Sequence, residues 1–215
     1  MNKIILSSVT RKFAMALAGL FLIVFLPLHL SINFLLLSDD PVPFNKAAHF
    51  MATFPLIKIF ELLLMTTIVL HVALGITVQI QNWLARPVRY SVSSKSETAS
   101  FSRFMIWTGG TVLIFLVIHF FNFYFVKLGL AEGDPENFYG MAYSLFKIPL
   151  YNYIYLVSFL LLGFHLHHAC SSAFQTIGLN HRIWTPVVKI VSWIYAIAIP
   201  AGFAAISISI WQFRQ

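Results

Sequence analysis

Eight histidines stand in this chain of 215 residues. Six of them fall inside long apolar stretches. His29, His71 and His119 stand alone in theirs, whereas His165, His167 and His168 share one, in the run GFHLHHACSS. His49 and His181 lie in connecting segments. Imidazole is costly in an apolar membrane and is kept there for a reason: a hydrogen-bonding partner, a proton to relay, or a metal ion. A lone buried histidine most often bonds a serine, a threonine or a carbonyl. Four consecutive apolar segments with at least one histidine each call for a common explanation.

The elements that must position them are five apolar segments at about 13–37, 56–82, 103–127, 149–176 and 186–211. Each reaches the roughly 20 residues needed to cross a hydrocarbon core. The composition is 59% hydrophobic and 10% charged, against about 25% charged in soluble domains. Mean hydropathy is +0.82. A soluble domain is excluded, and the expected fold is all-α: an integral membrane bundle of five transmembrane helices, one domain over 1–215. The first apolar run is too long for a cleaved signal, and no A-x-A site closes it. Pro27 and Pro200 lie inside spans, where neighbouring helices can satisfy the freed carbonyls. The single cysteine, Cys170, excludes a disulfide framework, a cysteine-held iron–sulfur cluster and a CxxCH haem attachment within this chain.

Charge orients the bundle. Lys3, Arg11, Lys12, Arg86, Arg89, Lys95, Arg103, Arg182 and Lys189 fall on one side, with Glu97 the acid among them. Lys46, Lys58, Lys127, Lys147 and Arg214 share the other side with Asp39, Asp40, Glu61, Glu132, Asp134 and Glu136. The positive-inside rule then puts the N-terminus inside and the C-terminus outside, in a multi-pass protein of the cell's cytoplasmic membrane. Two outer loops, 38–55 and 128–148, are expected to lie on the membrane as short amphipathic pieces. The inner loop 86–102 is basic and serine-rich, without the pattern of a folded domain, so a soluble catalytic domain would come from another chain. No nucleic-acid partner is expected.

Depth sorts the histidines. His29 is ten residues from Asp39 and His119 eight from Lys127, whereas His71 is thirteen from Lys58 and His168 twenty-one from Lys147. At about 1.5 Å per residue, His29 and His119 form an outer layer, and His71 and His168 an inner one. Two histidines at one depth on two helices can take both axial positions of a haem iron. Two layers therefore suggest two haems stacked across the membrane. A zinc site is disfavoured, since the candidates lie on separate helices with no acid or thiol to complete a tetrahedral set. Gly75 follows His71 by one turn and Ser172 follows His168, small residues that leave room for a flat macrocycle. Gly19 and Gly109 each precede their histidine, His29 and His119, by ten residues. That is about 15 Å, near the inner layer.

At this point the sequence resembles a known family, the dihaem cytochrome b membrane anchor of succinate:quinone oxidoreductases and fumarate reductases. The resemblance lies in SSVTRKFAMALAGLFLIVFLPLHL, in FSRFMIWTGG and GFHLHHACSSAFQTIG, and in the 42-residue step from His29 to His71. It spans nearly the whole chain. It implies two haems b, with His71 and His168 on the iron nearer the iron–sulfur subunit and His29 and His119 on the farther one. It implies a flavoprotein subunit and an iron–sulfur subunit on the cytoplasmic side, and electron transfer to or from a membrane quinone, menaquinone rather than ubiquinone. Succinate and fumarate chemistry would belong to the flavoprotein, not to this chain. The step from His119 to His168 is 49 residues, longer than is usual in the family, and Leu166 stands where some members have a glutamate two residues before the fourth ligand.

Further residues follow from that reading. Arg11 and Arg103 are candidates for haem propionates. Glu61, about 15 Å outward of His71 along its helix, is a candidate for the quinone site, against the plainer reading of a carboxylate that reaches the surface or pairs with Lys58. At 100° per residue the three clustered histidines cannot serve one iron. His168 is expected as the ligand, His165 as a hydrogen-bonding neighbour between the layers, and His167 without a role. The competing functions are a cytochrome b anchor of a hydrogenase or formate dehydrogenase, and a proton transporter with relay histidines.

Overall fold

The structure is a computed structural model. It describes the backbone of residues 7–84, 97–179 and 181–213, and the side chains of all of these except 8 and 97–103. Lys3, Arg86, Arg89, Lys95 and Arg214 lie outside the described residues, as does 86–96 of the basic loop. The order is α1 (Ser8–Asn33) with a 3-10 turn (Phe34–Leu37), α2 (Val42–Thr53), α3 (Pro55–Leu84), α4 (Glu97–His119), α5 (Phe138–Lys147), α6 (Pro149–Thr176) and α7 (Trp184–Phe213). Beyond His119, α4 runs on through a π-helical turn, Phe120–Tyr124, into Phe125–Lys127. No strand occurs among the described residues.

Five helices are long and apolar enough to cross a membrane: Val9–Leu37, Pro55–Leu84, Phe104–Lys127, Pro149–Thr176 and Trp184–Phe213. The first starts earlier than its apolar run because Ser7 caps it, its side chain accepting from the Thr10 amide at 3.1 Å. Pro55 and Pro149 open α3 and α6, where a missing N–H costs nothing. α4 begins at Glu97, within the stretch expected as loop. From Glu97 onward it holds no proline or glycine until Gly109, so nothing interrupts the helix.

α6 is the central helix. It packs against α1, α4, α5 and, most extensively, α7. The core follows it: Tyr155, Phe159 and Leu166 of α6 meet Ile199, Ile206 and Ile210 of α7, with Leu30 and Leu36 from the end of the first span. Gly163 lets α6 and α7 close. A methyl there would stand 2.9 Å from the Ala196 carbonyl, the group four residues before Pro200 that loses its helical partner. By contrast α3 and α4 scarcely touch each other. Thr67 is the one buried residue of α3, so most of that helix, including the side toward α4, is left uncovered.

One end of the bundle is capped by both short helices. The Tyr139 amide donates to Asn45 Oδ1 at 2.9 Å, its hydroxyl donates to the Ser38 carbonyl at 2.8 Å, and the Tyr143 hydroxyl donates to the Leu36 carbonyl at 3.1 Å. Asn137 accepts from Asn45 and caps α5 through the Gly140 amide. Both expected outer pieces are thus helices, and they are tied to one another across the chain. Beneath α5, the fully buried Asn152 donates to the carbonyls of Phe146 and Ser207 at 3.2 Å each.

Candidate functional site

At the capped end, α1 and α4 bring His29 and His119 together, ring centres 5.8 Å apart and planes at 81°. Each ring is fixed by the helix that carries it. His29 stacks on Phe25 at 5.3 Å, and His119 on Phe115 at 5.9 Å, in both cases one turn earlier. Phe203 of α7 closes on His29 at 5.6 Å, and Tyr155 of α6 on His119 at 6.3 Å. Asn33 lies 3.5 Å from His29 Nδ1, while His119 Nδ1 is buried with no hydrogen-bond partner among the described residues.

The second pair differs from the expected one. The ring that meets His71 is that of His165, with centres 6.5 Å apart and planes at 83°. His168 instead lines a hollow of about 270 Å³ with Phe104, Met105, Thr108 and Phe164. His165 is therefore level with His71, not between the two layers. Three residues along α6 amount to about 4.5 Å, enough to carry His168 past that level.

Gly19 and Gly109 lie at the depth expected, and the structure shows against what. A methyl on Gly19 would stand 3.4 Å from His71 Cε1, and one on Gly109 would stand 3.3 Å from His165 Cε1. α1 and α4 thus repeat one another at an offset of 90 residues: Met15 and Met105, Gly19 and Gly109, Phe25 and Phe115, His29 and His119. His71 Nδ1 is buried with no hydrogen-bond partner among the described residues. His165 Nδ1 lies 3.4 Å from the Thr108 hydroxyl of α4, which in turn donates to the Met105 carbonyl at 3.1 Å. Thr108 is a site residue that sequence reasoning missed; its signal was its place beside Gly109.

A metal fits these pairs on three counts. Two imidazoles trans on one ion, each bound at about 2 Å, have ring centres roughly 6 Å apart, close to both separations seen. His165 has one nitrogen 3.4 Å from a hydroxyl of the facing helix, the arrangement that orients a ligating imidazole. The glycines leave the ring edges uncovered. Among the described residues no group of three or more His, Cys, Asp or Glu side chains converges on a point. Two-nitrogen sites of this kind suit an iron whose equatorial positions a macrocycle already fills.

The remaining candidates divide. Arg11 Nε is buried with no hydrogen-bond partner among the described residues, a donor that could meet an anionic group at the end opposite the two short helices. The side chain of Arg103 lies outside the described residues. Glu61 pairs with Lys127 of the third span, Oε2 to Nζ 2.5 Å, and not with Lys58. Tyr124 stands beside the same carboxylate, its ring centre 5.8 Å from the Lys127 ammonium. His167 turns away from both pairs and packs on Trp193 of α7 at 4.0 Å. No family model, no curated protein and no solved structure matches the chain.

Proposed function

We propose that the chain is the membrane anchor and electron-transfer subunit of a succinate dehydrogenase or fumarate reductase, built to hold two haems b. His29 and His119 would hold one of them, and His71 and His165 the other. The observation that carries this reading is the pair of two-histidine contacts, 5.8 and 6.5 Å between ring centres, set ten residues apart along α1 and α4. The resemblance in sequence adds the identity of the complex.

Bound haem would supply reversible one-electron chemistry. What the chain supplies is placement. The two pairs lie about 15 Å apart in depth, so a carrier in each layer divides the membrane into two short steps. Phe25 and Phe115 fix the ring planes of one pair; Thr108 orients His165 in the other. Arg11 would neutralise a propionate at the end opposite the two short helices. In this reading that end, where α1 begins, faces the cytoplasm and receives the iron–sulfur and flavoprotein subunits. The quinone, menaquinone in this reading, is bound at the capped end beside Glu61, whose carboxylate accepts a hydrogen bond from the quinol hydroxyl.

A pyridine-haemochrome determination on the purified chain tests the proposal. Two haems b per chain are expected, and none would overturn it. Affinity purification from native membranes then tests the complex: a flavoprotein and an iron–sulfur protein should co-purify, and succinate should reduce the haem absorption band. A hydrogenase or formate dehydrogenase in their place would overturn the succinate reading.

A further inference from the structure

Lys127 stands where a lysine usually does something else. It ends the third span, and a lysine there ordinarily extends outward so that its ammonium meets water. Here the ammonium reaches Glu61 Oε2 on α3 at 2.5 Å. The depth of that carboxylate follows from two equal steps. Glu61 is ten residues from His71 along α3, and His29 is ten residues from Gly19 along α1. Gly19 faces the His71 ring, which a methyl on it would meet at 3.4 Å, so Glu61 stands at about the level of the His29–His119 pair. The ammonium is drawn back toward that depth.

Three further observations bear on this pair. It bridges α3 and α4, the two spans that otherwise scarcely touch. Its side chains are 23% (Lys127) and 20% (Glu61) exposed, on helices whose shared flank is open, so a molecule arriving from the lipid can reach both charges. The π turn Phe120–Tyr124 lies between His119 and Lys127. Such a turn holds one residue more than an α turn and shifts the phase of the residues after it, Lys127 among them.

We propose that Lys127 is a positioning residue for a flat, lipophilic ring with oxygen atoms at its edges. This is the quinone of the function proposed above, and the inference rests on that reading. An ammonium only donates and a carboxylate only accepts. Side by side they match both states of such a ring: Lys127 donates to a carbonyl oxygen, and Glu61 accepts from a hydroxyl. The ring enters between α3 and α4 and takes up hydrogen bonds that the two side chains otherwise make with each other. A brace between two helices would need neither the exposure nor the depth.

The test uses the assembled complex in membranes, with Lys127→Met, which keeps the stem and removes the charge, and Lys127→Arg, which restores a donor. Haem content should stay at two per chain in both. Lys127→Met should raise KM for a soluble naphthoquinone about tenfold, the effect of one lost charge-assisted hydrogen bond, with kcat changed far less. Lys127→Arg should recover most of it. A KM for Lys127→Met within twofold of the parent, at full haem content, overturns the inference and leaves the function standing. A parent complex that carries two haems yet reduces or oxidises no quinone overturns both. Should Lys127→Met fail to assemble, photolabelling the parent with an azidonaphthoquinone decides: adducts on 120–127 support the site, and adducts elsewhere refute it.

Discussion

Replacing His165 separates the pairing seen in the structure from the pairing that depth alone suggests. Three positions around its ring carry three different expectations. His165→Ala removes one of the two imidazoles that meet at 6.5 Å, so haem per chain should fall from about two to about one. His168→Ala opens a wall of the hollow shared with Phe104 and Phe164 and should leave two. Thr108→Val keeps the volume but removes the hydroxyl 3.4 Å from His165 Nδ1. Loss of a partner that orients a metal ligand costs about 10–100-fold in affinity. A hydrogen bond at the long end of the range belongs near the lower figure, about tenfold or 1.4 kcal/mol. Thr108→Val should therefore hold two haems at saturation and surrender one of them to an external haem acceptor at about a tenth of the parental affinity. Pyridine-haemochrome stoichiometry on purified complex reads the first two variants, and an acceptor titration reads the third. If His168→Ala drops to one haem while His165→Ala keeps two, the axial pair is His71 with His168 and the His71–His165 contact is only packing.

Three other outcomes follow from the geometry. Gly109→Val should expel the haem held by His165, because even a first methyl would stand 3.3 Å from that ring, whereas Gly110→Val, which meets nothing within 4 Å, should keep both; equal haem content in the two variants would show that the ring can retreat. Gly163→Ala forces a methyl to 2.9 Å from a backbone carbonyl of α7 and should cost about 1–3 kcal/mol, seen as a lower Tm in detergent, and an unchanged Tm would mean that the α6–α7 contact is slack. Asn152→Leu strips two buried carbonyls of a donor and should cost about 2 kcal/mol, with proteolysis at 128–137 increasing as α5 loosens; stability equal to the parent would show that water replaces the amide.

The five spans were legible because hydropathy alone sets them, and their ends fell within a few residues of the apolar runs except where a cap or an uninterrupted helix former extended them. His29 and His119 were legible as partners because each helix offers one candidate. The fourth span offers three. Depth counted from Lys147 across more than twenty residues cannot resolve about 4.5 Å, and the small-residue signal was ambiguous: Ala169 follows His165 by one turn just as Ser172 follows His168. What sets His165 apart is its place against Gly109 on another helix, a relation with no trace in local sequence. The same holds for Lys127, which lies 66 residues from Glu61, and for Asn45, which bonds Tyr139 across 94. Lys58 was the nearer cation to Glu61 by sequence, but helix spacing is only one of the ways two charges meet.

The 90-residue repeat of α1 in α4 has a consequence for how the molecule is made. Neither ring pair belongs to one half of the chain. His29 waits for His119, and His71 waits for His165, so a ribosome that has released α1 and α3 has delivered two half-sites and no whole one. Both pairs are complete only after α6 has emerged. Cofactor loading in the proposed function is thus a late event in biogenesis, and it doubles as a completeness check: a product truncated before α4 stays colourless.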